Sequence, residues 1–467
     1  MPGKRPINAD APPASDPPRT AEPGKEAKFT APSKEAPTKE APTAAAKTKA
    51  PPPPAPPTTG RPRPRVPTAL KAIGGLVLVA IVFLVAAVLG GGGGDGKSDQ
   101  PAPTTQTTAP AEKQTPAAAA AEELGYPSFA TNNTTRVGGS DPATTAAGVA
   151  LAVFPSVTSA QRPAAVALVD EGEWQAALAA AVLMATPVKA PLLVTSDGEL
   201  PDATEQALEA LAPQGSKATE GAQAFAIGSA PEPEGLKTVK VQMGSPAALA
   251  VALLALRDKL AGKPPPSLVL VPEESPEFAA PAAAWAARSG NPILFTARDK
   301  LPKATASALA EIREVAVYVL GPTSAISSHV VREIAKIGNK VRRVSGEDAV
   351  DNAIALARYA RGNFGWNVND PGHGFVVARS DAPLDAAVAA PLSASGTWGP
   401  LLLTDDADTL PMALREYLLD IKPGYSTDPT RAFYNHVWVI GDQEAIDVSQ
   451  QAEINQLAEL AKIGSAP

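Results

Sequence analysis

The chain of 467 residues repeats one structural unit three times, and this repeat limits its fold more than any other feature. Each copy contains an apolar run that ends in threonine, preceded by another apolar run and an alanine-rich stretch. A further apolar run ending in glycine follows each of them. The threonine runs are PLLVT at 191–195, PILFT at 292–296 and PLLLT at 400–404, and the glycine runs lie at 224–228, 317–321 and 437–441. This ordered recurrence indicates three related folding units.

The apolar runs are continuous rather than alternating, which is typical of strands buried on both faces of a parallel sheet. Strands that alternate with helices form right-handed β-α-β units. The predicted fold class is therefore α/β, with three tandem doubly wound, Rossmann-like lobes. We place these lobes at 126–237, 238–338 and 339–467.

The N-terminal part of the chain differs in composition from the rest. Residues 1–71 hold 19 of the 51 prolines and carry 13 Lys+Arg against 6 Asp+Glu, a net charge of +7, which leaves −14 for the remainder. This part has too little aliphatic content to offset the backbone entropy lost on folding. Residues 1–68 are therefore predicted to be a disordered, Pro/Ala/Lys-rich tail. Its charge either attracts a cytoplasmic polyanion or belongs to a solvated spacer.

An uncharged segment, AIGGLVLVAIVFLVAAVLGGGGG, follows at 72–94. Its apolar stretch is long enough to cross a lipid bilayer as a single helix, which we place at 69–90. Basic residues crowd its N-terminal flank, at positions 61, 63, 65 and 71. The positive-inside rule therefore predicts a cytoplasmic N terminus and extracellular lobes. Residues 91–125, rich in Gly, Thr and Pro, are predicted to be a flexible stalk.

The residue inventory narrows the possible chemistry. The chain has no cysteine, which excludes disulfides, thiolate metal sites and thiol nucleophiles. Its three histidines leave little material for a zinc site, and we predict neither a metal nor a cofactor. Acidic residues follow several strands, as Asp405 and Asp406 do, and a glycosidase needs a pair of carboxylates. Acidic residues in such loops usually cap the next helix, so no catalytic residue is predicted.

The three repeated units resemble the cell wall binding repeat type 2 family. Three such repeats usually occur together on Gram-positive surface proteins. The resemblance runs from about residue 135 to the C terminus and suggests a Gram-positive or actinobacterial source. The family's opening residues match Arg136, Gly139, Asp141, Thr145 and Ala146 in the first unit, Gly244 in the second, and Arg343, Gly346 and Asp348 in the third. The family's Asp-Ala-Leu helix start matches only Asp385 and Ala386, in the third unit.

The resemblance implies non-catalytic attachment to cell-wall polysaccharide, typically anionic, through a triangular arrangement of three lobes. The charge of −14 outside the tail opposes an anionic ligand by bulk electrostatics. Binding would then need a local basic patch or a bridging divalent cation. Arg342 and Arg343 are the candidate basic residues, and the alternative is that they are ordinary surface charges.

The third unit holds 10 of the 21 aromatic residues and two insertions, at 361–374 and 422–436. Exposed rings beside amides and carboxylates are what a sugar site requires. Alternatively, the aromatic side chains cover the open edge of the last lobe or pack between lobes. The candidate ligand residues are Trp366, Asn367, Asn369, Asp370, Tyr425 and Tyr434.

We therefore predict a single-pass membrane protein that displays a non-catalytic, polysaccharide-binding domain outside the cell and organises the envelope. Two other classes remain open. One is an extracellular ligand-sensing module, and the other is a wall-modifying hydrolase that uses the carboxylates at the strand ends. In a further alternative the lobes are scaffold only, with their binding residues lost.

Overall fold

The computed structural model describes residues 129–242, 244–396 and 398–463. The predicted tail at 1–68, transmembrane helix at 69–90 and stalk at 91–125 all lie outside these ranges. Within the described ranges, no helix is both long and apolar enough to cross a bilayer.

The first segment opens with two short strands and then alternates helices with strands. Proline at the first helical position favours the start of its first helix, since the missing N–H would have no partner there. A 3-10 turn, Ala181–Met184, continues the second helix. The elements are β1 (Phe129–Ala130), β2 (Thr134–Val137), α1 (Pro142–Val153), β3 (Val166–Asp170), α2 (Trp174–Ala180), β4 (Leu192–Thr195), α3 (Asp202–Leu211) and β5 (Ala224–Gly228).

The second segment repeats this order and adds a helix after its last apolar strand. In the first segment, residues 229–237 connect β5 to the next strand without such a helix. The elements are β6 (Thr238–Gln242), α4 (Pro246–Ala261), β7 (Ser267–Pro272), α5 (Pro276–Ala279), α6 (Pro281–Ser289), β8 (Ile293–Thr296), α7 (Lys303–Glu311), β9 (Ala316–Leu320) and α8 (Ser328–Ile337).

The third segment keeps the same order and contains both insertions. The second insertion contributes a two-residue strand that pairs with another at the C-terminal end. The elements are β10 (Lys340–Val344), α9 (Ala349–Arg358), β11 (Gly374–Arg379), α10 (Pro383–Val388), α11 (Ala390–Ala394), β12 (Leu401–Thr404), α12 (Met412–Asp420), β13 (Gly424–Tyr425), β14 (His436–Ile440), α13 (Val448–Ala458) and β15 (Ala461–Lys462).

Three parallel four-stranded sheets, one in each lobe, confirm the predicted α/β class. Their strand orders are β4-β3-β5-β6, β8-β7-β9-β10 and β12-β11-β14-β2. The short strand β1 adds an antiparallel edge beside β2. The central strands β3, β7 and β11 are buried almost throughout, as expected for continuous apolar runs covered by helices on both faces.

The first strand of each segment lies in the sheet of a neighbouring segment. Strand β6 pairs with β5, β10 pairs with β9, and β2 pairs in parallel with β14, near the end of the chain. Each sheet therefore takes its last strand from outside the predicted limits of its own lobe. Because the third sheet takes its strand from the first segment, the three lobes form a closed ring.

The centre of the ring is a junction of three alanine-rich helical pieces: the turn Ala181–Met184, α6 and α11, which pack against one another. We call it the central junction. Its alanine side chains, such as Ala181, Ala284 and Ala390, are fully buried, and their small size allows the helices to approach closely. One continuous core of buried apolar residues runs through all three lobes. A larger side chain at Ala284 would overpack the junction at a cost of about 1–3 kcal/mol.

Candidate binding site

Strand β2 closes the ring by pairing with β14, and a buried arginine in β2 reinforces this contact. Arg136 is 1% exposed, and its guanidinium donates to the carbonyl oxygens of Gly441 and Ile446, at 3.0 and 2.6 Å. Its Nε also donates to Gln451 Oε1 at 3.0 Å. Burial lowers the pKa of Arg136, while the nearby carboxylate of Asp442 acts in the opposite direction. The first arginine of the family motif thus holds the first strand against the last sheet.

The other two sheets contain the same clamp. Arg343 of β10 donates to the carbonyl oxygens of Gly321 and Ile326, and Lys240 of β6 donates to that of Ala230. The three cations occupy equivalent positions in their strands. Each one pairs with a residue of the neighbouring apolar strand, two positions before the glycine that ends that strand. A lysine therefore fills the position at which the second unit lacks the family's arginine.

The aspartates near the start of the motif, and the serine that replaces them in the second unit, are helix caps. The side-chain oxygens of Asp141, Ser245 and Asp348 accept the backbone N–H three residues further on, at 2.9, 3.2 and 2.8 Å. Such a cap typically contributes about 1 kcal/mol to helix stability. Serine replaces aspartate in the second unit with the same function, which explains why the motif is weaker there.

The two predicted basic ligand residues lie side by side on β10 but do not form one patch. The guanidinium of Arg343 is directed to backbone carbonyls, and burial lowers its pKa. Side chains of successive strand residues point to opposite faces, so that of Arg342 lies on the other face of the sheet, half-exposed. The ligand role of the pair stays a prediction.

The Trp366 ring, which we expected to be exposed, is buried. Only 6% of the residue is accessible, and the ring packs edge-on against Trp285 of the second lobe, with centroids 5.3 Å apart. Phe364 contacts the same tryptophan at 5.0 Å and stacks on Tyr318 at 3.5 Å. These four rings form a cluster between the second and third lobes. Trp366 therefore packs between two lobes, which is the alternative to a ligand role.

The polar candidates of the first insertion fix the conformation of their own loop. Asn367 has a left-handed backbone with φ of 55°, and its N–H donates to the carbonyl oxygen of Tyr359 at 3.0 Å. The amide oxygen of Asn369 accepts from Arg358 at 3.2 Å. Asp370 remains exposed.

The second insertion contacts the first. The side-chain oxygen of Asn435 accepts the N–H of Gly372 at 2.9 Å, which joins the two loops. Tyr434 is 52% exposed and donates its hydroxyl to the carbonyl oxygen of Pro429 at 2.8 Å. Tyr425 is half-buried in β13. The structure thus brings the two insertions together, whereas Arg342 and Arg343 belong to the sheet of the second lobe.

Carboxylates at the carboxyl ends of the strands stabilise local turns. Glu171 accepts from the Ser196 hydroxyl, and Asp170 accepts the N–H two residues further on at 3.1 Å. Asp406 accepts two backbone N–H groups of its own loop, both at 2.8 Å, and these bonds lower the pKa of its carboxyl. In the part of the chain that the structure describes, no group of three or more His, Asp or Glu residues is placed to hold a metal ion.

A cavity of about 370 Å³ lies at the amino-terminal ends of the strands. There the helical pieces of the central junction end and the chain enters β4, β8 and β12. We call it the junction cavity. All three segments contribute to its wall, which contains two basic residues and no acidic one. Its wall includes Val153, Lys189, Arg288, Ser395 and Gly396.

Trp398 holds Arg288 at the rim of this cavity. The guanidinium carbon lies 4.3 Å from the centre of the Trp398 ring, a cation–π contact, and the ring is 39% exposed. Our sequence-based candidates did not include Lys189, Arg288 or Trp398. The available signal was their position, since each lies only a few residues before the proline of PLLVT, PILFT or PLLLT.

Residues 241–331 and 343–451 match the family model of cell wall binding domain 2. The two stretches are therefore similar to cell wall binding domain 2 repeats. They comprise most of the second and third segments, and each begins in the strand that carries a clamp.

A curated relative shares one stretch of sequence with the chain. It is an N-acetylmuramoyl-L-alanine amidase, LytC, of Bacillus subtilis (strain 168), with 32% identity over 90 residues. This stretch is 19% of the present chain and 18% of the relative.

Two solved structures share the fold. Cwp6 from Clostridium difficile superposes with a TM-score of 0.54 at 17% identity, and Cwp8 from the same organism with a TM-score of 0.52 at 20% identity. Each superposition covers 70% of this chain, and 48% and 52% of the respective structures. The chain thus spans about half the length of either structure. The chain therefore shares its α/β fold with both structures.

Proposed function

We propose that the three-lobed domain attaches the protein to a polymer of the cell wall without chemically altering it. The observation that carries this proposal is the match of two stretches to the cell wall binding domain 2 model, in a ring whose third lobe has the same fold. A ring held by the buried Arg136 is a preorganised support, which suits attachment better than a reaction that needs moving parts.

We further propose that the apolar segment at 69–90 anchors this domain to the membrane, with the tail inside and the lobes outside. The proposal rests on the sequence, namely an uncharged apolar stretch with basic residues on one flank. The protein would then connect membrane and wall at the cell surface. If so, deletion of residues 69–90 should move the protein from the membrane fraction to a soluble one. An unchanged membrane fraction would refute the anchor.

A wall-modifying hydrolase is the second candidate, because the curated relative is named as an amidase. The match covers only 90 residues, and the strand-end carboxylates take part in local turns. We therefore infer that the lobes bind rather than cleave. If Asp405→Asn abolished a measurable release of wall fragments by the purified protein, this inference would be wrong.

The direct test of attachment uses the full-length chain, kept in detergent because of its apolar segment. Incubated with purified cell walls and centrifuged, it is expected to sediment with them in a saturable manner. A protein that stays in the supernatant at all wall concentrations would contradict the proposed function.

A further inference from the structure

We propose that the junction cavity is the ligand site of the domain, and that it binds an acidic group of a wall polymer, either a carboxylate or a phosphate diester, through Lys189 and Arg288. This inference rests on the proposed function, because it assigns the place and the chemistry of that attachment.

The charge of the cavity is the first argument. Its wall holds Lys189 and Arg288 and no carboxylate, on a domain whose overall charge is negative. Both residues are solvent-exposed, and neither makes an ion pair within the described ranges. A concave site lined by one sign of charge concentrates ligands of the other sign. The negative charge of the domain therefore does not exclude an anionic ligand at this position.

The origin of the two cations is the second argument. Lys189 comes from the first segment and Arg288 from the second, while the third segment supplies Ser395 and Gly396. The site is complete only when the three segments meet at the central junction. Attachment would therefore depend on the assembled ring rather than on a single repeat.

Preorganisation is the third argument. The Trp398 ring supports the Arg288 guanidinium at 4.3 Å, so less side-chain freedom is lost when a ligand binds. A guanidinium donates to carboxylate and phosphate oxygens in a fixed geometry. The helical pieces at the junction end in backbone carbonyls with partial negative charge, which Lys189 and Arg288 offset for an incoming anion.

The available space is the fourth argument. A second cavity of about 230 Å³ shares Val153, Ser395 and Gly396 with the junction cavity and continues toward His436 and Trp438. Burial lowers the pKa of His436, so its imidazole is neutral at pH 7 and adds no charge. Together the two cavities form a groove with cations at one end and aromatic rings at the other. This composition suits a sugar chain with an acidic substituent.

The test compares two double variants of the full-length protein in wall sedimentation. Lys189→Gln/Arg288→Gln removes both cations of the cavity, whereas Lys303→Gln/Arg332→Gln removes two exposed cations that do not line it. We expect the first variant to need at least about tenfold more wall for half-maximal binding, and the second to match the wild type. Thermal unfolding of both variants should resemble that of the wild type.

The outcomes separate the inference from the proposed function. If the wild type binds walls and both variants bind equally well, the cavity assignment is wrong and the proposed function stands. The same holds if both variants lose affinity equally, since bulk charge would then be responsible. If the wild type does not bind walls at all, the proposed function itself fails.

Two soluble probes identify the acidic group. Poly(glycerol phosphate) presents phosphate diesters and polygalacturonate presents carboxylates, and each is titrated into the wild type and the Lys189→Gln/Arg288→Gln variant. Binding of either probe to the wild type, weakened in the variant, supports the site and indicates which anion it takes. A wild type that binds walls but neither probe would contradict the assignment of an anionic ligand.

Discussion

Arg136 donates to the carbonyl oxygen of Gly441 at 3.0 Å, although 305 residues separate the two in sequence. The guanidinium makes four hydrogen bonds at this point, where the first strand of the described domain enters its last sheet. A single buried cation thus reinforces the closure that the backbone pairing of β2 with β14 begins. The equivalent residues Arg343 and Lys240 make fewer hydrogen bonds and are less buried, so the three clamps should differ in strength.

Replacing each clamp by glutamine should destabilise the domain in the order Arg136, Arg343, Lys240. Loss of Arg136 leaves several buried carbonyl oxygens without a donor, at an expected cost of about 2–4 kcal/mol. The cost should be about 1–2 kcal/mol at Arg343 and below about 1 kcal/mol at the exposed Lys240. Urea unfolding of the three variants measures these values. Equal losses at all three positions would show that ring closure has no special dependence on Arg136.

The fold was largely predictable from the sequence, and ring closure was not. Continuous apolar runs that alternate with helices indicated three parallel sheets, and the structure has them. A repeat of this kind is equally compatible with an opening strand in its own sheet or in the neighbouring one. Strand β2 is separated from β3 by a helix, just as β6 is separated from β7. Only the packing of the whole ring decides where each of these strands lies.

The candidate site was less predictable, for a related reason. Ligands of parallel sheets usually bind beyond the carboxyl ends of the strands, and the sequence places acidic residues there. Lys189 and Arg288 precede strands of different segments, and their sequence positions do not reveal that they line one cavity. Aromatic content identified the third segment correctly as unusual. It did not distinguish the buried Trp366 from the partly exposed Trp398.

Asp385 should make the stability of the domain depend on pH. Burial raises the pKa of its carboxyl to about 6, and the neighbouring carboxylate of Asp141 acts in the same direction. The folded state therefore binds this proton more tightly than the unfolded state, whose carboxyl has an ordinary pKa near 4. The stabilisation is complete below about pH 4 and is lost as the pH rises through 6.

Asp385→Asn removes this titration and should stabilise the protein at pH 7 by about 1–2 kcal/mol. Between pH 4 and 6 the variant should also lose less stability than the wild type. Urea unfolding at a series of pH values measures both effects. A variant that is less stable than the wild type at pH 7 would show that the ionised carboxylate contributes favourably.

Trp366→Ala should lower the stability of the folded protein. It should not act by removing an exposed contact to a ligand. The ring is almost fully buried against Trp285, and truncating a buried tryptophan typically costs about 3–5 kcal/mol. Trp366→Phe should cost clearly less, because the indole N–H has no partner among the described residues. Thermal unfolding distinguishes the two. Wild-type stability in the alanine variant, combined with weaker binding to walls, would instead restore Trp366 as a ligand residue.

Attachment to walls should be sensitive to salt and insensitive to a chelator. Lys189 and Arg288 would contact the polymer directly, and added salt screens charges that are exposed to solvent. A chelator should have no effect, since direct contacts between cations and anions need no bridging metal. Sedimentation with walls in 0.05 to about 1 M sodium chloride, with and without EDTA, measures both responses. Release by EDTA alone would point to a bridging divalent cation.

The most direct test of attachment compares intact cell walls of the source organism with the same walls after hydrofluoric acid has removed their secondary polymers. The full-length protein should sediment with the intact walls and remain in the supernatant with the stripped peptidoglycan. Equal sedimentation with both preparations, or with neither, would contradict attachment through a secondary wall polymer.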